Sequence, residues 1–523
     1  MFVRRKSNKT GTVSVHVISK NRGRYKFIKS FGIGHTEIEI VRLEEKARQY
    51  IREQTGLTND LFTDEDDLKM EEFIFSLSNS QIQVVGPELV FGSLYDKIGY
   101  GVIKEDLFRH MVITRLFNPG SKLKTIDYMY RYQSLSYSSD KIYRFLDTLC
   151  YRKKEKGNDQ FREAEIKTQI EQITYNHTFS VLKRKINVVF YDLTTLYFES
   201  SEEDDLRKTG FSKDGKHQCP QIFLGLLVGA GGNPIGYQIY EGNIFEGNTF
   251  IPALQDIEKK YDLGRPIVIA DSGLLSKKNI EQLENSGYKY ILGARPKNEA
   301  DTIKKQILAF GLKDGENAVI RKDNKTRLVV SMTDKRASKD AHNRKRGLER
   351  LRKKILSCKL TKANINNKGY NKYLKMEGKV SISIDMERYE ADAQWDGIKG
   401  YLTNTRLSEK NIIANYANLW YIERAFRINK TDLRIRPIYH RLKNRIEGHI
   451  CICFTAYCIM LETERMLKHY KSTISLTKAQ EVTKNMYQLS YCLPNSKKIA
   501  SKILNMDNEQ QSLYDMVMRW TKK

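Results

Sequence analysis

The text that follows residue 185 constrains the fold more than any other part of the chain. It runs INVVFYDLTTLYF, PQIFLGLLVGAGG and PIGYQIYEG, then NTFIPALQDIEKKYD, RPIVIADSG, SKKNIEQLENSG and YKYILGARP. Short apolar runs rich in β-branched and aromatic residues predict strands, and the longer amphipathic runs predict helices. Three strands able to pair as a meander, followed by helix, strand, helix, strand, predict one α/β sheet. GAGGNPIG at 229–236 lies between two strands rather than before a helix, so it reads as a hairpin turn and not as a dinucleotide-binding loop.

The flanks read differently. Residues 2–32 alternate, with SKNRGR between TVSVHV and RYKFIKSF, which predicts a β-hairpin with a basic turn. Residues 36–80 read as helix leading into the acidic text TNDLFTDEDDLKMEE, a solvated linker or the start of a further helix. From 88 to 180 the pattern is helical. The Asn118-Pro119-Gly120 break between amphipathic segments fits either a helix-turn-helix-like DNA-binding module or a plain helical bundle used for packing or dimerisation. Residues 299–398, with KDAHNRKRGLERLRKKILS and KVSISIDMERYE, read as an insertion. The sheet resumes at DGIKGYLTNT, followed by a long helix from Ser408 to Leu433 and a second from Leu442 to His469.

The expected organisation is therefore a β-hairpin unit and linker (1–85), a helical DNA-binding or dimerisation domain (86–184), a first part of the core (185–298), the insertion domain (299–398), a second part of the core (399–470) and a helical tail (471–523). The order of strands and helices in the core resembles that of ribonuclease H-like sheets. A chain of 523 residues exceeds what one hydrophobic core sustains, in keeping with several units.

Charge narrows the choice of partner. Ninety Lys and Arg against 63 Asp and Glu leave a formal charge of +27, a field that favours a polyanion because each neutralised phosphate releases counterions. The longest apolar run, ICICFTAYCIML at 450–461, is shorter than the ~20 residues that span a bilayer, and the N-terminal text lacks an apolar signal core. Seven cysteines argue against a disulfide scaffold and suit a reducing compartment. These features predict a soluble, intracellular protein with no membrane partner.

Asp192 closes the run VVFYD and Asp271 closes IVIAD. An acid at the C-terminal end of a buried strand is aimed at the sheet edge where α/β proteins bind ligands. Two such acids in one sheet predict a metal site, since hard divalent ions take carboxylate oxygens. Phosphodiester chemistry on paired ions calls for a third acid, and Glu423 in NYANLWYIERAFRINKTDL is the candidate. Tyr416, Glu423 and Lys430 are spaced by seven and fall on one helix face, with Trp420 and Arg427 beside them. The bland alternative is a surface helix in which Glu423 and Arg427 form an i,i+4 pair worth a few tenths of a kcal/mol. Neither GxxxxGK[ST] nor HExxH occurs. Cys451, Cys453 and Cys458 lack CxxC spacing and read as buried thiols, while His440 and His449 are expected to meet a phosphate or a carbonyl rather than a metal.

YDLTTLYFE, IADSGL and the spacing Tyr416-x2-Leu419-x3-Glu423-x6-Lys430 resemble the DDE transposases of the insertion-sequence-four superfamily. That family has Arg where this chain has Leu419. WYIERAFRINKTDLRIRPIYHRLKNRIEGHI resembles, more narrowly, the branch named for insertion sequence sixteen-thirty-four. The resemblance implies a ribonuclease H-like catalytic core interrupted by a mostly β insertion between the second Asp and the Glu. It also implies Asp192, Asp271 and Glu423 as catalytic and metal-binding residues, Mg2+ or Mn2+ as cofactor with two ions expected, and a homodimer in a synaptic complex. Double-stranded DNA, as terminal inverted repeats and as target, is the implied partner. Tyr416, Trp420, Arg424, Arg427, Lys430 and His440 are the expected DNA-binding residues. Trp420 stacks on a flipped base or anchors a core, and Arg427, ahead of Arg424, is expected to supply the phosphate contact that Leu419 cannot. The alternatives are a ribonuclease H-like nuclease without strand transfer and a non-enzymatic DNA-binding regulator.

Overall fold

The computed structural model describes all residues except 9–10, 22, 56–64, 151–152, 155–160, 163–164, 262, 275, 358–359, 361–363, 367–368, 378–380, 494–497 and 523. The chain forms two compact units, Met1–Gln81 with Ser490–Lys502, and Ile82–Leu489 with Ile503–Lys523. In the first unit the expected hairpin is part of a three-stranded antiparallel sheet, β1 (Phe2–Ser7), β2 (Val13–Asn21) and β3 (Arg24–Gly34), in that order. Alternation places Val15 and Val17 on the face covered by Ile40 and Ala47 of α1 (Glu37–Thr55). The second half of the acidic text begins helix α2 (Glu65–Ser76), while residues 58–64 lie outside the described residues.

After the short strand Ile82–Val84 and a short helix Ser93–Ile98, the second unit continues with helices α3 (Asp106–Phe117), α4 (Lys122–Gln133), α5 (Ser139–Leu149) and α6 (Glu165–Val181). α3 is buried from Met111 through Phe117, which makes it a packing helix. α4 is the more exposed of the pair, with Leu123 and Tyr130 open to solvent, and its N-terminus is capped by the Ser121 hydroxyl, which accepts from Lys124 N.

An eight-stranded mixed sheet forms the centre. The expected meander is β4 (Val188–Tyr197), β5 (Gln221–Val228) and β6 (Pro234–Glu241), antiparallel throughout. The Gly-rich segment turns between β5 and β6, with Gly231 and Gly232 at positive φ. Helix α7 (Phe250–Lys260), β7 (Ile267–Ala270), α8 (Lys277–Asn285) and β8 (Lys289–Ala294) follow. β7 runs parallel to both β4 and β8.

Residues 299–398 depart from the expected separate insertion domain. Strands β9 (Asn317–Arg321) and β10 (Arg327–Met332) join the same sheet, and only then comes helix α9 (Asp334–Leu356). Strand β11 (Ile398–Thr403) pairs with β10 on one side and β8 on the other, which gives the order β9-β10-β11-β8-β7-β4-β5-β6. The alternating apolar residues of AVIR and RLVVSM explain this, because Ile320, Leu328 and Val330 bury against Ile307. KVSISIDMERYE supplies strand Ser381–Ile384, paired with Leu374–Glu377.

The long helix expected from Ser408 to Leu433 is instead α10 (Glu409–Ala417), α11 (Trp420–Arg427) and a π-helical turn over Ile428–Asp432. The junction is tightened by i to i−3 bonds, Leu419 N to Tyr416 O at 3.0 Å and Ile422 N to Leu419 O at 3.1 Å, whereas Leu433 N reaches back five residues to Ile428 O at 2.9 Å. The second expected helix is α12 (Lys443–His469). The tail beyond 470 is not wholly helical, since it contains strands Tyr487–Cys492 and Ile499–Ile503.

Period-two alternation divides the core between the two sheet faces. Val189, Tyr191, Leu193, Val268 and Ala270 face α7, with Tyr191 stacked on Phe250 at 5.3 Å. Phe190, Ile269 and Ile291 share the other core with α3, α5, α11 and α12. α12 is buried over most of its length, including Cys451, Cys453 and Cys458 as core thiols. Among the described residues no helix is long and apolar enough to cross a membrane. Because α12 is the spine of the larger core, Ile450→Ala, at a position 1% exposed, is expected to cost about 2–5 kcal/mol. A chemical denaturation curve measures this, and a loss under about 1 kcal/mol would mean that the site collapses around the cavity.

Candidate active site

The parallel register of β4 and β7 sets the positions of the two aspartates. Ile269 pairs with Phe190 and Ala270 with Tyr191, so Asp271 and Asp192 follow at the same level on neighbouring strands. By alternation both belong to the face of Phe190, whose ring meets Tyr421 of α11 edge-on at 6.0 Å. Asp271 immediately follows its strand, as expected. Asp192 is mid-strand rather than terminal, because Leu193 to Tyr197 continue to pair with β5. It marks the level at which the β7 ladder stops while the β5 ladder continues.

Each aspartate is oriented by its own backbone. Leu193 N donates to Asp192 Oδ1 and Ser272 N to Asp271 Oδ1, both at 2.7 Å. The Tyr416 hydroxyl donates to Asp271 Oδ1 at 3.0 Å. Burial and the neighbouring Asp271 push the Tyr416 phenol well above its ordinary range, so it remains a proton donor. Gly293 on β8 leaves room for this pair, since a Cβ there would lie 2.3 Å from the Tyr416 hydroxyl and 3.2 Å from Asp271 Oδ1.

Glu423 is exposed on α11 and lines, with Asp271, Tyr416, Trp420 and Lys399, a basin of about 800 Å³. α9 supplies Arg336, Asp340 and Arg344 to its wall. Among the described residues no three His, Cys, Asp or Glu side chains converge closely enough to hold a metal ion. The donors available are nonetheless all carboxylate oxygens, the set that hard divalent ions prefer. A cation already stands among them: Lys213 Nζ lies 3.8 Å from Asp192 Oδ1 and 3.2 Å from Glu246 Oε1, and donates to Leu193 O at 2.8 Å. Positive charge therefore already stands against carboxylate oxygens beside Asp192, donors of the kind a hard divalent ion takes.

Burial pushes Asp192 up to about 6; Lys213 and the Leu193 N–H oppose the rise, and the charges of Asp271 and Glu246 add to it. On the other side of Asp271, Lys399 of β11 sits 4.4 Å over the Tyr416 ring. Burial and Arg336 lower its pKa, while Asp271 and Glu423 hold it up.

The remaining expected residues divide. Trp420 is 47% exposed at the rim, which removes the core-anchor reading. Arg424 turns away to Glu464 of α12 at 2.7 Å, whereas Arg427 is exposed. Lys430 does not continue the Tyr416 and Glu423 face. Within the π turn it reaches Asp214 at 3.4 Å, a carboxylate shared with Arg436. His440 is buried against Tyr143 and His449, and His449 Nε2 meets Ile435 O at 2.9 Å. That is the expected carbonyl, and neither histidine is at the basin. Sequence reasoning missed Lys213, Glu246 and Lys399. Each lies on a different element from the acids, and no spacing rule links them, although Lys399 in the resumed strand GIKGYLT interrupts an otherwise apolar alternation.

The family model for the transposase DDE domain matches residues 183–459, just over half of the chain. No curated protein sequence matches significantly. Solved structures with a distant likeness include the piggyBac transposase synaptic complex with hairpin DNA, at 11% identity over 76% of each chain and a TM-score of 0.37. The Mos1 transposase paired-end complex with left transposon end is 12% identical over 36% of this chain and 57% of that one, with a TM-score of 0.15.

The raised Asp192 pKa has a consequence for stability. A carboxyl protonated more readily in the folded than in the unfolded chain makes stability fall as pH rises from about 4 to about 6, and the loss persists above that range. Asp192→Asn, which keeps an acceptor for Leu193 N, is therefore expected to be more stable than the parent at pH 7 by roughly 1–2 kcal/mol, the pairing with Lys213 being lost in exchange. Melting curves of both proteins at pH 4 and pH 7 check the sign. A variant less stable than the parent at pH 7 would show that the Lys213 pair outweighs burial.

Proposed function

Because the chain belongs to the DDE transposase family, we propose that it binds the terminal inverted repeats of a mobile element in double-stranded DNA and cuts and rejoins DNA at their ends. The observation that carries this reading is the common level of Asp192 and Asp271 on parallel strands, with Asp271 and Glu423 opening into one basin. In this reading the sheet is a ribonuclease H-like core, and the chain falls in the insertion-sequence-four superfamily, in the branch named for insertion sequence sixteen-thirty-four. It works as a homodimer that pairs two DNA ends.

Asp192, Asp271 and Glu423 are the catalytic carboxylates and would hold two divalent ions, Mg2+ or Mn2+. Ions bound there supply activation of a water or 3′-hydroxyl and neutralise charge on the leaving oxygen. The protein's own groups prepare the site. Tyr416 keeps its proton and fixes Asp271, while Lys213 offsets the charge of Asp192. Trp420 at the rim presents its indole to an unstacked base, and base–aromatic stacking contributes about 1–3 kcal/mol. Arg427, free of the Glu464 pairing that occupies Arg424, takes the phosphate role that Leu419 leaves open.

Asp192→Asn, Asp271→Asn and Glu423→Gln are each expected to abolish cleavage and joining while duplex binding stays within a few-fold of the parent, because each removes metal-bearing charge and no phosphate contact. Labelled duplexes carrying the sequences that flank the gene, incubated with Mg2+, provide the assay. Near-normal cutting by one variant removes that residue from the set. Nicking without joined product in the parent would instead indicate a hydrolytic nuclease, and binding without any nicking a regulator.

For the rim, Trp420→Ala is expected to retain first-strand nicking and to lose second-strand cleavage about tenfold or more, in line with one lost stacking contact. Arg427→Ala should weaken duplex binding. Equal loss of both strand cleavages, with a large fall in melting temperature, would return Trp420 to a packing role. Unchanged affinity and cutting in Arg427→Ala would exclude its phosphate role.

A further inference from the structure

A second cavity, of about 580 Å³, lies away from the basin where the turn between α3 and α4 meets the segment joining α11 to α12. Its walls are cationic. Arg115 and Lys122 are 5% and 6% exposed, and His440 and His449 complete the buried part. Arg434 and Lys124 stand exposed among the residues that line it. Arg436 also lines it but is paired with Asp214. Among the described residues no carboxylate lines this cavity. The nearest balancing acid on α5, Asp147, is engaged by Arg445 through two 2.8 Å bonds.

The partners of the two buried cations do not neutralise them. Among the described residues Arg115 Nη1 reaches only Leu433 O, at 3.5 Å, and Lys122 Nζ only His449 Nδ1, also at 3.5 Å. Burial, with Arg115 beside it, pushes Lys122 down to about 7. Cations held side by side in a protein interior are costly unless an anion accompanies them. The same cavity receives the N-terminus of the 12-residue helix α4, whose first backbone N–H groups favour a negative ligand. Buried charge and helix terminus are independent features, and both select an anion with several acceptor oxygens.

We propose that this cavity is a phosphate-binding site that grips one backbone phosphodiester of DNA at a distance from the catalytic basin. The proposal rests on the transposase reading for the source of the phosphate. The exposed Arg434, Lys124 and Tyr439 beside the buried cations suit a polyanion that continues beyond the cavity, whereas a free phosphate would need only the buried groups. The site would fix the register of the duplex without reading its sequence.

The test uses the full chain and two probes, inorganic phosphate and a duplex in which single phosphates are replaced in turn by neutral methylphosphonate. Lys122→Met preserves the bulk of the side chain, and Arg434→Ala changes an exposed side chain. Both variants are expected to bind the duplex roughly tenfold more weakly than the parent, the effect of losing a charge-assisted hydrogen bond. One methylphosphonate position that weakens the parent should have no effect on Lys122→Met. A structural role for Lys122 predicts a fall in melting temperature, whereas the proposal predicts that the temperature is unchanged or raised. If inorganic phosphate stabilises the parent and not Lys122→Met while duplex affinity is the same in both, the ligand is a free phosphate and the DNA assignment is overturned. If neither probe distinguishes parent from variants, the cavity is not an anion site. Failure of the parent to bind any duplex would count against the transposase reading instead, and the inorganic phosphate arm would still decide the cavity.

Discussion

The hydrogen-bond register between β4 and β7 is the constraint on which the site depends. Four residue pairs, from Ile267 with Val188 to Ala270 with Tyr191, bring Asp271 and Asp192 to one level, two sequence-distant acids on a shared face. A slip of one residue would send one of them into the apolar layer under α7, because neighbouring side chains alternate between faces. The layers on either side hold the register. Val268 and Ala270 are fully buried on the α7 side, and Ile269 and Phe190 on the α12 side, so neither strand can shift without exposing one set and burying an acid in the other.

Around that register the protein manages like charge with lysines. Asp192 would be hard to ionise in its recess, and Lys213 makes ionisation easier. Lys399 plays the corresponding part near Asp271 and Glu423, at the cost of a lowered pKa of its own. These lysines lie on segments that reach the acids from outside the β4–β7 pair: the long loop after β4, and β11 beyond β8. The arrangement offsets part of the repulsion among the carboxylates, while Asp271 and Glu423 line the basin.

Much of the central sheet was legible from sequence because its strands are buried on both faces and read as unbroken apolar runs, as in QIFLGLLV and IVIA. Asp192 was identified but misplaced within its strand, since TTLY has the β-branched and aromatic character that lets β4 run on beside β5. The helix carrying Glu423 was read as one regular helix. Its tightened junction at Asn418-Leu419 and its π turn depend on local hydrogen-bond choices that residue spacing does not encode, and Lys430 consequently leaves the face on which spacing by seven had put it. The insertion was misread for a different reason. Charged helical text surrounds β9 and β10, and two short strands have no sequence mark that tells which sheet they will join. Lys213 and Glu246 were not legible at all, because their loops reach Asp192 only through the tertiary fold.

The continuity of the sheet through β10 and β11 gives the inserted segment a mechanical role. β11 is bonded to β8, β8 to β7 and β7 to β4, so α9 and the strands before it are anchored to the same ladder that carries the aspartates. A force applied to the basic surface of α9 would be borne as shear along hydrogen-bonded strands, which resist it collectively, rather than as bending at a flexible tether. The chain between Asp271 and Glu423 is thus a cantilever built into the sheet that carries both aspartates.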